Sequence, residues 1–122
     1  MRAREAALKL KRFDAQEKNR KVEDLEMMIR DFEVMAEDLQ RQIQAEEDRT
    51  GVRDAQHFAY STFARSAAQR REKLQASVAE LQERLAFAVA DRDEALAELT
   101  DADAASGGLR ADAVSYSDVH AR

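Results

Sequence analysis

The feature that most constrains this chain is a run of apolar residues at Val22, Leu25, Ile29, Phe32, Ala36, Leu39 and Ile43, alternately three and four positions apart. On a helix of about 3.6 residues per turn this spacing gathers all of them on one narrow stripe, the seam of a heptad repeat. One helix cannot bury its own stripe, so a second must cover it. The stripe recurs at Tyr60, Ala64, Ala67, Leu74, Val78, Leu81, Leu85, Ala88, Ala95 and Leu99, interrupted only where Arg71 and Arg92 fall on it. Composition agrees with two long helices: among 122 residues there is no Pro, only three Gly, and 37% charged side chains, which leaves little material for a globular core.

Between the stripes lies RTGVRDAQ, in which Thr50 and Gly51 mark a helix end and Asp54 or Ser61 offers a cap for the next helix. So short a connection folds the second helix back on the first. The expected fold class is therefore all-α, an antiparallel coiled-coil hairpin over residues 1–105. Its first helix spans about 3–50, its turn about 51–57 and its second helix about 58–104. Paired positions should add to roughly 106, with Ile43 near Phe63 or Ala64, Phe32 near Leu74, Val22 near Leu85 and Leu8 near Leu99, in arms each about 70 Å long. Charge supports this orientation. Residues 1–21 carry a net +5 and 22–54 a net −7, whereas 55–84 carry +2 and 85–106 carry −5, so folding at the turn lays opposite signs together.

The two ends fit less well. In the first twenty residues Lys11 and Lys18 stand on the extrapolated seam while Ala6, Leu10 and Phe13 form another stripe, so the seam is expected to drift there. Residues 106–122, opening Ser-Gly-Gly and lacking an apolar period, read as a flexible tail.

The chemistry of the chain points away from catalysis. It holds no HExxH, no phosphate-binding loop, no CxxC, no cysteine at all, and only His57 and His120 as imidazoles. Consecutive acids such as Glu46, Glu47 and Asp48 point in different directions around a helix and are expected to form a solvated face. A two-helix hairpin offers no desolvated concavity for an active site, so neither an enzyme, nor a cofactor, nor a metal centre is expected. Binding remains. Phe58, Tyr60 and Phe63 place three of the seven aromatics within six positions, and a two-stranded coil cannot bury all three, which leaves an aromatic interface at the turn. Arg65, Arg70, Arg71 and Lys73 follow, and are expected to face the acidic first arm. Met27, Met28 and Met35 are expected to widen the first seam. An overall charge of −5 argues against nucleic acid, although an RNA-gripping hairpin stands as a third reading behind a self-associating structural coil. The start lacks a signal-peptide run and the chain lacks the roughly eighteen consecutive apolar residues of a membrane span, so a cytoplasmic protein with no membrane insertion is expected.

The segments KLKRFDAQEKNRKVEDLEMMIRDFE and DLQRQIQAEEDRTGVRDAQHFAYSTFARSAAQRREKL resemble the flagellar export protein FliJ family in a short form, most specifically at Leu10 to Phe13, His57 to Tyr60 and Gln69 to Glu72. The resemblance covers most of residues 1–100. It implies a monomeric antiparallel coiled coil, similar to the central stalk of rotary ATPases, in the bacterial flagellar type III protein export apparatus, peripheral to the inner membrane at the flagellar base. The partners it implies are the hexameric flagellar export ATPase, the cytoplasmic domain of the membrane export gate, and export chaperones. Carried onto this sequence, Arg4, Lys9, Lys11, Arg12 and the region of Leu99 would enter the ATPase ring, and Phe58, Tyr60 and Phe63 would meet the gate. Many members continue the second helix past the point where this chain reaches Ser106-Gly107-Gly108.

Overall fold

The structure is a computed structural model and describes residues 2–107 with their side chains. It consists of two helices, α1 (Arg2–Thr50) and α2 (Thr62–Ala121), with no strand among the described residues. The helices pack against each other as an antiparallel pair, and their contacts fall into two units: Glu23–Ala86, which contains the turn, and Met1–Val22 with Phe87–Arg122.

In the turn-containing unit the core is the stripe legible in the sequence. Leu25, Ile29, Ala36, Leu39 and Ile43 of α1 are buried, and Tyr60, Ala64, Ala67 and Leu81 answer them from the loop end and α2. Phe32, Leu74, Val78 and Leu85 on the same stripe are half-buried, as a two-stranded seam dictates, because each position is covered from one side only. Ala64 is fully enclosed, and its small side chain lets the two backbones approach closely beside the turn. Arg71 does not break the seam. It is half-buried at a seam position, and its aliphatic stem lies along an open groove of about 540 Å³ that Glu33, Ala36, Glu37, Gln40 and Val78 also line.

In the other unit Leu8, Ala15 and Val22 of α1 are buried, each seven positions from the next, together with Ala88, Ala95 and Ser106 of α2. The expected drift of the seam is therefore corrected: the heptad runs unbroken to Leu8, while Leu10 and Phe13 are 70% and 62% exposed on a different face. Lys11 and Lys18 hold the seam positions in between by burying their stems and sending their ammonium groups outward, Lys11 to Glu98 (4.0 Å) and Lys18 to Asp14 (3.3 Å). Arg92 does the same, donating to Asn19 Oδ1 (3.3 Å) and to Asp93. Arg12 reaches Asp103 at 3.8 Å. These contacts pair the basic start with the acidic later stretch, as the charge pattern required.

The second helix departs from expectation at both limits. It begins at Thr62, four residues later than the sequence suggested, and it continues through Ser106 and Gly107, with Ala102 and Ser106 extending the same three-four stripe beyond Leu99. The bounds of α2 run on to Ala121, past the start of the expected flexible tail at Ser106, and the side chains of residues 108–122 lie outside the described residues.

Candidate functional site

The turn is built by local hydrogen bonds, not left as a slack connection. α1 ends where Gly51 takes a positive φ of 74°, a conformation that favours glycine, and its N–H bonds back to the Glu47 carbonyl at 2.8 Å. The Thr50 hydroxyl then accepts the Val52 N–H at 3.2 Å. Asp54 closes the next turn twice, its side chain accepting from Gln56 N–H (2.9 Å) and its carbonyl from His57 N–H (3.0 Å). His57 repeats the device: Nδ1 accepts the Ala59 N–H at 3.0 Å and its carbonyl accepts the Tyr60 N–H at 3.0 Å. Ser61 caps α2 by accepting the Ala64 N–H at 3.2 Å. Of the two capping residues suggested by the sequence, Ser61 caps the helix and Asp54 makes the loop.

Side chains then clamp this loop to both helices. The Tyr60 hydroxyl donates to Glu47 Oε2 at 2.8 Å, and the Ser61 hydroxyl donates to Glu46 Oε1 at 2.9 Å. Arg49 holds the other side of Glu46, and Arg53 pairs with Asp48. Arg65 donates to the Ala55 carbonyl at 3.0 Å while its guanidinium lies 5.8 Å from the centre of the Tyr60 ring. The bonds from Arg49 and Ser61 hold the Glu46 carboxyl below its ordinary range, and the bond to Glu47 raises the Tyr60 phenol above its own. Glu46 and Glu47 are thus the anchors of the turn, where the sequence suggested only a solvated acidic face. Their long reach across the loop, fifteen positions from Glu46 to Ser61 and thirteen from Glu47 to Tyr60, left no local signal.

The three aromatics separate into two roles. Tyr60 is buried and plugs the end of the seam with Leu39, Ile43, Ala64 and Ala67. Phe58 is 95% exposed, with its ring stacked on His57 at 4.6 Å, and Phe63 is 56% exposed on the first turn of α2. Arg70 and Lys73, expected to face the acidic first arm, make no ion pair with it among the described residues. They rim a shallow groove floored by Phe32, Met35 and Leu74. Met27, Met28 and Met35 are each about half exposed, outside the seam they were expected to widen.

In the unit that holds the chain start, Arg4 and Lys9 are exposed, Lys11 and Arg12 reach across to α2, and Leu99 is half-buried on the seam. These residues share one unit, and the tip aromatics lie in the other. Among the described residues no group of His, Asp or Glu is arranged to hold a metal ion, and no helix is long and apolar enough to cross a membrane. No family model, curated protein or solved structure matches the chain.

Proposed function

We propose that this chain is a non-enzymatic coiled-coil component of the bacterial flagellar type III export apparatus, coupling the export ATPase ring to the membrane export gate and its chaperones. The reading begins from the resemblance of residues 1–100 to the FliJ family. The observation that carries it furthest is the construction of the turn: a loop clamped by Tyr60–Glu47 and Ser61–Glu46 that fixes a fully exposed Phe58 in place. A connection that only reversed the chain would need no such clamp, and a solvent-exposed Phe stacked on His57 is an anchor awaiting a pocket. Tyr60 supports this surface from beneath; Phe58 and Phe63 form it.

At the other unit, Arg4, Lys9, Lys11 and Arg12 offer a basic surface to the ring, and the contacts of Lys11 and Arg12 with α2 tie that surface to the closed pair. A helical pair suits a coupling role because it transmits displacement along its length without folding around a substrate. The test uses the cognate partners. The double variant Lys11→Glu, Arg12→Glu should abolish stimulation of the export ATPase while leaving gate binding intact, and Phe58→Ala with Phe63→Ala should do the reverse. If both variants keep both activities, the protein is a structural coil without this role.

A further inference from the structure

We propose that the turn-containing unit associates with further copies of this chain, one flank of each copy seating on the opposite flank of the next, through surfaces that include none of the ring or gate residues named above. Two grooves run along the seam of this unit on opposite sides. One, of about 540 Å³, is floored by Ala36 and Val78 and rimmed on α1 by Glu33 and Glu37, and heptad spacing places Glu26 on the same edge. The other is floored by Phe32, Met35 and Leu74 and rimmed on α2 by Arg70 and Lys73, and heptad spacing places Arg84 on that edge and Met28 in line with Met35. Glu26, Glu33, Glu37, Arg70, Lys73 and Arg84 are all exposed, and none has an ion-pair partner among the described residues. The unspent charge of this unit is thus sorted, acid on α1 at one flank and base on α2 at the other.

What covers the basic flank is decided by both of its helices. Beside the bases of α2, α1 presents Met28 and Met35, each about half exposed. The occupant must therefore carry an acidic row next to a neutral one, on two helices a seam apart. The other flank of this chain has that pattern: next to Glu26, Glu33 and Glu37 of α1, α2 carries Ala68, Gln75 and Gln82, seven positions apart and all exposed. Rotated by half a turn about the line joining the two flanks, a second copy lays its α1 acids along the α2 bases of the first and its neutral α2 row along the methionines. Glu33 and Glu37 span about 6 Å along their helix and Arg70 and Lys73 about 4.5 Å, so both pairs can meet at once. Arg30 is the one base on the acidic edge and Glu80 the one acid on the basic edge. Arg41 and Arg71 also line the acidic groove, but Arg41 is turned to Asp38 (3.8 Å) and Arg71 is half-buried on the seam. Asp24, Asp31 and Asp38 stand outside the methionines on the basic flank and disfavour a partner that is acidic throughout, whereas the second copy sets its neutral row on that side. Because the two flanks differ, the contact is head-to-tail and repeats from copy to copy.

The experiment is sedimentation velocity of the full chain over about a hundredfold range of concentration, at low and high salt. The sedimentation coefficient should rise with concentration past that of a dimer, and salt should lower it. Glu33→Lys with Glu37→Lys, and separately Arg70→Glu with Lys73→Glu, should each need about tenfold more protein to associate. An equal mixture of these two variants should associate like the parent, because each supplies the sign that the other has lost. Lys11→Glu with Arg12→Glu, in the other unit, should behave as the parent, and far-ultraviolet circular dichroism should show that every variant keeps its helices. A chain that stays monomeric throughout, a mass that stops at the dimer, or a mixture that fails to associate overturns the proposal. So does association that either pair of reversals leaves unchanged. ATPase stimulation, measured at concentrations where the chain is monomeric, is a separate readout, so failure here leaves the export reading standing, and failure there leaves this one.

Discussion

Tyr60 shows how one residue can be read in two ways from sequence and in one from structure. Grouped with Phe58 and Phe63 it resembles an interface aromatic, yet it is buried, and its hydroxyl is spent on Glu47. Tyr60→Phe should therefore lower stability by about 1 kcal/mol in urea denaturation, the net worth of one such bond plus the lone acceptor it leaves behind. Binding to the gate domain should be unchanged. Glu46 gives a second test at this scale. Its carboxyl is held below the ordinary value of 4.5 by Arg49 and Ser61, so the stability it contributes is present above that value and is lost as pH falls through the lower value of the folded state. Glu46→Gln should flatten the acid limb of the stability profile below about pH 4.5, and an unchanged limb would show that these exposed bonds carry nothing. The acids were visible in the sequence, but their partners were not, because the contacts close a loop whose bonding depends on Gly51, Asp54 and His57 together.

At the scale of the elements, the period of three and four in residues 22–43 and 60–99 predicted which faces of the helices meet, and the buried set follows it residue by residue. What was misread was the interruption. Lys11, Lys18, Arg71 and Arg92 look like breaks when apolar residues are counted, yet each occupies its seam position by burying methylenes and exporting its charge. Leu10 and Phe13 misled for the complementary reason: they are apolar and periodic but belong to the opposite face. The unit that carries Lys11, Lys18 and Arg92 fills its seam mostly with small side chains, Ala15, Ala88 and Ala95, and so buries less apolar surface than the unit with Leu25, Ile29, Leu39 and Ile43. Hydrogen exchange should therefore be faster in residues 8–20 than in 25–43. Lys18→Leu should raise the melting temperature by several degrees, since a polar group at a seam position costs about 1 kcal/mol relative to Leu. A fall in melting temperature would show that the ammonium contact with Asp14 matters more than the seam.

For the whole molecule, the alternation of charge along the chain, +5, −7, +2 and −5, predicted antiparallel pairing, and the cross-helix contacts Lys11–Glu98 and Arg12–Asp103 realise it at one unit. Exposed pairs of this kind are worth only a few tenths of a kcal/mol each, so their role is to select the orientation that the seam alone leaves open. In the other unit the turn makes that choice covalently, and Arg70 and Lys73 are left to rim a groove instead of meeting the acidic arm. Function was less legible than fold because the same seam serves any coiled coil, whereas the exposed residues Phe58, Phe63, Lys9 and Arg12 carry a meaning that only a partner would reveal. The most direct measurement is ATP hydrolysis by the flagellar export ATPase with and without this protein at matched ionic strength. The account predicts stimulation that disappears in Lys11→Glu, Arg12→Glu and survives in Phe58→Ala. No stimulation, together with no co-sedimentation with the ATPase, would contradict the coupling role and leave the helical pair as a structural element alone.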